Sequence, residues 1–448
     1  MSFRVQTNRR WTPLHASRPT VALLAVHYLR HAGQCLRGGA EKYIRNTVCL
    51  LLDAGADVHV NYSGDAIYDD LLEQYGDARL RIERTDWLDP ALGRDRRFRP
   101  RLIASRRIWF TRHRPDVVLA IQQGNGGSFA ASVAAAALAG CRVVASIRQM
   151  PAPPAPPAPP ESPPTTRRGL GLGAAVQRRR LIWRMRALMS FCQTVIFNSA
   201  RVARMYADAY RLDARRFCVI HNIEPLAKAP RSRDRPDPSR FLREDRPRRI
   251  MLGAVGQVSE GKGADLTVAA FAHLAKRFPA ADLVFFGEGA MAGLLRQRAV
   301  QAGLARRIIF AGRRDDPEAI YPNIDLLVLP SRRESSSNAV AEAMARGLPC
   351  IVSNAGGLPE LVEHCVSGFV VPSGDVRRLT AAIARFLHRP RLLHEMGDAA
   401  YRRAARLFDP AANGRATLDA VFGAARSDNF GPHLTPLREH EDQLVPVR

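Results

Sequence analysis

The chain has 448 residues, 46% of them apolar, and a formal net charge of +25. That length exceeds one ordinary domain and suits two of about 200 residues each, with apolar residues enough for two cores. Its seven cysteines, at 35, 49, 141, 192, 218, 350 and 365, form no C-x-x-C pair; this excludes a disulfide framework and a paired-cysteine zinc site, and a reducing cytosol is the expected setting.

The charge is carried almost wholly by arginine, because Lys42, Lys228, Lys262 and Lys276 are the only lysines among 67 basic residues. Such a skew, beside abundant Ala and Pro, follows genome base composition as much as function. There is no aromatic RNP-like run, no zinc finger and no basic region with heptads, so no nucleic-acid partner is expected. A basic surface facing anionic lipid or anionic substrates is the alternative to a merely solvated one.

Arg9, Arg10 and Arg18 precede the apolar run TVALLAVHYL. His27 within it, and no small-residue cleavage site after it, favour a buried first strand over a signal peptide. No window reaches 18 apolar residues, so no membrane-spanning helix is expected and any membrane contact would be peripheral.

In chain order, the first half alternates apolar runs with amphipathic segments. Strands are expected at 21–28, 57–62, 116–121, 141–147, 194–200 and 217–222, and helices at 38–55, 101–112, after QQGNGG, and at 176–190. The stretch 151–173, PAPPAPPAPPESPPTTRRGLGLG, reads as an exposed, partly polyproline loop. Residues 226–248 are polar and proline-rich, and are read as an inter-domain linker. Beyond them strands are expected at 249–256, 282–287, 307–312, 324–330, 349–354 and 368–372. Helices at 265–277, 290–302, 338–346, 358–364 and 376–387 separate them, with a helix-like 317–323. This alternation implies an α/β fold with parallel sheets covered on both faces. Residues 426–448 read as a frayed tail.

Three turns carry candidate chemistry. In AVGQVSEGKGADL (254–266), Gly256, Gly261 and Lys262 imitate a Walker A loop, but Gly263 stands where a magnesium-binding hydroxyl is required. What survives is close backbone approach to an anion beside a helix start and one ammonium; a tight turn with an exposed lysine is the bland alternative. In FFGEGAMAG (285–293), Gly287 and Gly289 either permit a turn or let a nucleobase or ribose lie on backbone. In VLPSRRESSSNAVAEAMARGLPCIVS (328–353), Ser336, Ser337 and Asn338 can cap a helix that Gly347 and Pro349 end. Glu334 then lies in a loop and Glu342 in the helix's second turn, about 12 Å apart at 1.5 Å per residue. That is a ribose-to-hexose span across a diphosphate, with helix-start amides of residues 336–339 between. The alternative has Glu334 as a helix-start acid and Glu342 on a solvent face.

On these residues, segment 250–408 resembles the C-terminal domain of the retaining family 4 glycosyltransferases. The first half resembles their acceptor domain more loosely, through Gly38-Gly39-Ala40-Glu41 after the first strand. The resemblance implies a GT-B fold, two Rossmann-like doubly wound domains facing across a cleft. It implies an N-terminal acceptor-binding domain over 1–225, a nucleotide-sugar domain over 249–407, and a helix over 408–425 that returns to the N-terminal domain.

It further implies that Lys262 contacts the donor diphosphate, Glu342 the ribose and Glu334 the transferred sugar, with Gly38 and Gly39 giving the N-terminal domain room beside the phosphates. No cofactor and no bound metal are implied, in keeping with the lack of a D-x-D motif. The donor would be UDP- or GDP-linked. The acceptor would be a glycan or a polyprenyl-diphosphate-linked sugar of a surface polysaccharide, handled in the cytoplasm at the inner face of an anionic membrane. Two departures stand out: Gln257 replaces the family's common diphosphate arginine, and Arg148 its common histidine. They motivate a catalytically silent scaffold of the same fold as the alternative, with a nucleotide-sugar epimerase or phosphorylase as another.

Overall fold

The computed structural model describes residues 18–423, apart from 27–29, 32–33, 36–38, 64–68, 77, 85–99, 123–126, 152–163, 225, 228–248 and 315. The described chain divides into two compact units. The first takes residues up to Ile220 and from Ala411 onward; the second runs from His221 to Pro410.

The first unit contains β1 (Thr20–Val26), α1 (Gly39–Asp53), β2 (Asp57–Ser63), α2 (Asp69–Tyr75), β3 (Leu80–Arg84), α3 (Pro100–His113) and β4 (Val117–Gln122). It continues with α4 (Gly127–Leu138), β5 (Arg142–Ile147), α5 (Pro164–Ser190), β6 (Thr194–Phe197), α6 (Ala200–Tyr210) and β7 (Phe217–Val219). The seven strands form one parallel sheet in the order β3-β2-β1-β4-β5-β6-β7. β4 is buried along its whole length, as a strand covered on both faces must be. Val118, Ala120, Val143 and Ala145 face α3–α6 together with Phe110, Val133, Leu188 and Tyr206.

The second unit contains β8 (Ile250–Val255), α7 (Ala264–Ala275), β9 (Ala281–Phe286), α8 (Ala292–Gln301), β10 (Ile308–Gly312) and β11 (Leu326–Leu329). There follow α9 (Asn338–Met344), β12 (Cys350–Ser353), α10 (Leu358–Leu361), β13 (Gly368–Val371), α11 (Val376–His388) and α12 (Leu392–Leu407). Its sheet is also parallel, in the order β10-β9-β8-β11-β12-β13. Successive residues of one strand serve opposite faces: Leu283 and Phe285 pack with Phe271 and Phe386 of α7 and α11, whereas Val284 and Phe286 pack with Met344 and Ala400 of α9 and α12. At the amino end of β9 the fully buried Asp282 is held by Arg249 and, at 3.3 Å, by Arg307. Losing either partner would leave that carboxylate underneutralised away from water.

The last helix, α13 (Pro410–Phe422), belongs to the first unit from Ala411 on. A Cβ on its Gly414 would lie 3.2 Å from Leu50 of α1, and Arg142 at the start of β5 donates 3.0 Å to the Val421 carbonyl. Residues 221–224 and 226–227 lie on the second unit: Glu224 pairs with Arg346 at 3.7 Å and Ala227 donates to Ala345.

Some expectations needed correction. Helix α5 starts at Pro164, not 176, so 164–173 are helical rather than loop. A proline opening a helix sacrifices no hydrogen bond, because the first amides have no partner inside the helix. The helix-like segment 317–323 consists of two 3-10 turns. Helix α9 stops two residues short of the expected end, where Gly347 at φ 71° and the Leu348 amide bonded to the Ala343 carbonyl close it. The sequence reading also missed α2, β3, α6 and α12. Residues 152–163, most of 226–248 and 424–448 lie outside the described residues. Among the described residues no helix is long and apolar enough to cross a membrane.

Candidate functional site

A doubly wound sheet opens a crevice at the carboxyl ends of its strands, where successive connections leave in opposite directions. In the second unit that point lies between the neighbouring strands β8 and β11, since β8 leads outward to β9 and β11 leads the other way to β12. The two loops leaving these strands carry most of the expected site.

After β8 the chain turns at Gly256, whose φ is 123°, passes exposed Gln257 and buried Val258, and forms a 3-10 turn over Glu260–Lys262. Gly263 follows at φ 71°, and a Cβ there would overlap the Pro330 carbonyl at the end of β11. Its bare backbone therefore brings the two loops together. The Lys262 ammonium pairs with the Glu334 carboxylate from the second loop. The lysine side chain is 32% exposed and the glutamate 10%, so the pair is open on one side only. Gly261 takes part through its carbonyl, which accepts from the Arg332 amide at 2.9 Å.

Arg332 completes the junction. Its guanidinium donates to both carboxylate oxygens of Asp265, at 2.8 and 2.7 Å, and to the Glu260 carbonyl at 2.7 Å. The guanidinium hydrogen-bonded to Asp265 holds that carboxyl below its usual range, and the carboxylate raises Arg332 in return. One side chain thus fastens the turn bearing Lys262 to the loop bearing Glu334.

Glycines 287 and 289 serve this arrangement rather than an open ligand surface on their Cβ side. A Cβ on Gly287 would overlap the Gly256 carbonyl, and one on Gly289 the Val258 carbonyl. Val258 donates to Glu288 at 2.9 Å and Met291 to Val258 at 3.2 Å. The loop after β9 is therefore seated backbone to backbone on the loop after β8.

The remaining residues gather at the start of α9. Ser337 caps it, accepting from the Val340 amide at 3.4 Å. Asn338 is its first residue and accepts a hydrogen bond from the Asn222 side chain. Ser336 is partly buried. Glu342 stands in the second turn and accepts 2.7 Å from the Tyr321 hydroxyl. Tyr321 is fully buried; burial, then the Glu342 charge beside it, raise its hydroxyl well above the ordinary range. Glu342 is therefore anchored from beneath, not free solvent decoration.

In the first unit Gly39 opens α1, while Gly38 lies outside the described residues. Arg148, just past β5, stacks over the ring of Tyr43 in α1 at 3.4 Å and donates 2.9 Å to Ser146. Ser146 in turn bonds the Tyr43 hydroxyl at 3.2 Å. Arg148 and the helix that Gly39 opens are thus neighbours. The sequence reading had not singled out Arg332, Asp265 or Tyr321. Asp265 was visible as an acid in the first turn of α7, but nothing in the spacing named its partner.

A family model for glycosyl transferases group 1 matches residues 239–403, and one for glycosyltransferase family 4 matches residues 37–223. The chain belongs to the group 1 and family 4 glycosyltransferases of GT-B fold. A D-inositol 3-phosphate glycosyltransferase from Segniliparus rotundus is 30% identical over 198 residues, which are 43% of each chain. The lipopolysaccharide core biosynthesis mannosyltransferase LpsB of Rhizobium meliloti is 31% identical over 49% of this chain and 62% of its own. The chain thus spans about half the length of the curated relatives it matches. In structure it is similar to HepE of Anabaena, crystallised with UDP, at TM-score 0.66, covering 91% of this chain and all of that one. WaaG, a glycosyltransferase of lipopolysaccharide biosynthesis, follows at TM-score 0.61, over 90% and 100%. At 20% and 16% identity these two likenesses establish the fold alone.

Proposed function

We propose that the protein is a retaining glycosyltransferase that moves a sugar from a nucleotide-diphosphate donor to a glycan or lipid-linked acceptor in cell-surface polysaccharide synthesis. One observation carries this reading: Lys262 and Glu334 meet as a half-open ion pair at the switch point of the second unit, where anionic ligands bind in sheets of this type. The relatives' names, which include lipopolysaccharide and phosphatidylinositol mannosyltransferases, support the substrate class.

Lys262 then turns from Glu334 to the donor diphosphate and stabilises the charge that grows on it as the sugar leaves. Glu334 accepts from hydroxyls of the transferred sugar and fixes its orientation. Glu342, steadied by Tyr321, accepts from the ribose. The bond from the anomeric carbon to the diphosphate breaks, the acceptor oxygen bonds to that carbon on the same face, and the acceptor proton passes to a diphosphate oxygen. No metal enters this scheme. Gln257 contributes a neutral amide where the family commonly has a cation, so the site leans more heavily on Lys262.

The test is a thermal-shift screen of UDP- and GDP-sugars, followed by transfer assays of Lys262→Ala and Glu334→Gln. A binding donor raises Tm by an amount that grows with the logarithm of its concentration over Kd, and both variants should lose transfer. Full transfer and donor hydrolysis in both would remove these residues from the mechanism. A product of inverted anomeric configuration would end the retaining reading, an epimer or a sugar phosphate would indicate the alternative chemistries, and silence toward every donor would leave the scaffold.

A further inference from the structure

Helix α5 carries a feature that the transferase chemistry does not use. Its stretch Val176–Ser190 has five arginines, Arg178, Arg179, Arg180, Arg184 and Arg186, and no acidic residue. The C-terminal half of the helix is anchored: Leu188 and Met189 are buried, and Ile182 and Met185 pack against the core of the first unit. From Val176 to Leu181 every residue is exposed, and so are Trp183, Arg184 and Arg186. Trp183 is 72% exposed, well above what a large aromatic keeps without a partner to cover it.

At 3.6 residues per turn, Val176, Arg179, Arg180, Arg186 and Ala187 project within about 60° of Trp183. The outer face of α5 is thus an apolar ridge, Val176 to Trp183, flanked by guanidinium groups. An indole prefers the boundary between hydrocarbon and headgroups, and arginines beside it meet lipid phosphates. A lone ridge without charge would not choose between a protein and a bilayer; five exposed cations beside it without one anion do.

We infer that the outer face of α5 docks the protein on an anionic phospholipid surface, with Trp183 inserted among the headgroups and Arg179, Arg180 and Arg186 on phosphates. This surface is argued from α5 alone and stands whether or not the transferase reading does.

Co-sedimentation of the full chain with vesicles tests it. The vesicles are phosphatidylcholine alone, or phosphatidylcholine and phosphatidylglycerol at about 3:1, a composition that gives a negative surface potential. The expected result is binding to the mixed vesicles only, weakened by salt. The Arg179→Gln/Arg180→Gln/Arg186→Gln variant should lose on the order of a hundredfold in partition, from roughly fivefold per arginine. Trp183→Gln should lose several-fold, with unchanged far-UV circular dichroism in both. Trp183 emission should shift to the blue on binding, read as the difference from Trp183→Phe. Equal binding to neutral vesicles, or undiminished binding of these variants, would overturn the inference. So would binding of a single-stranded RNA through the same arginines by a chain that ignores the vesicles, which would make the face a nucleic-acid surface.

Discussion

Replacing Arg332 by alanine is the sharpest probe of how the site is built. The substitution deletes two bonds to Asp265 and one to the Glu260 carbonyl, all of 2.7–2.8 Å. Buried charge-assisted bonds contribute about 1.5–3 kcal/mol each, but exposed pairs contribute less than about 1 kcal/mol. With the arginine 31% and the aspartate 20% exposed, the junction lies between these limits. A total loss of about 1–2 kcal/mol is expected, or about 3–6 °C in the Tm of a unit this size. The assay is a cycle of Arg332→Ala, Asp265→Ala and the double variant in urea, with donor KM and kcat read beside it. A coupling energy near 1 kcal/mol and a donor KM raised several-fold, with no matching rise for the acceptor, are the expected results. Coupling below about 0.3 kcal/mol, the scatter of independent sites, would show that Arg332 merely decorates the loop and that Lys262 is placed by other means.

Two further outcomes follow from the same loops. Gly289→Ala should cost about 1–3 kcal/mol, the usual range for overpacking, because its Cβ would overlap the Val258 carbonyl; a Tm equal to that of the wild type would contradict the packing described. The Asp265 carboxyl is held below its ordinary 3.8 in the folded chain by Arg332, so its stabilising contribution is complete above that value. It is lost as pH falls from there through the lower folded value. The stability advantage of wild type over Asp265→Asn should therefore be widest near neutrality and shrink in acid, as urea titrations at several pH values would show; an advantage that grew in acid would reverse the assignment.

The second unit was largely legible in the sequence because most of its strands are short apolar runs closed by glycine or proline, and α9 and α11 open on capping Ser337 and Asp375; α12, which has no such cap, was not. The first unit was less so. Leu80–Arg84 reads LRIER, too polar for its period to stand out, and Asp69–Tyr75 is a single short helix of mostly polar residues. In the candidate site, spacing pointed to Lys262, Glu334 and Glu342 because a lysine is rare here and two acids flank a helix start. It could not point to Arg332, one of 63 arginines whose partner lies 67 positions away. Nor could it show that Gly287 and Gly289 face neighbouring carbonyls, since a glycine that admits a ligand and one that admits backbone are written with the same letter.

Helix α13 has a consequence for how the chain comes into being. Its Gly414 and Val421 cover Leu50 and meet Arg142, yet the ribosome makes all of residues 221–410, the second unit, before reaching them. At about 5–20 residues per second, the older unit waits roughly 10–40 s with Leu50 and its surroundings bare. The second unit, encoded without interruption, can close first even though it is begun later. A released chain truncated at Pro410 would thus carry one finished body and one still missing its last piece.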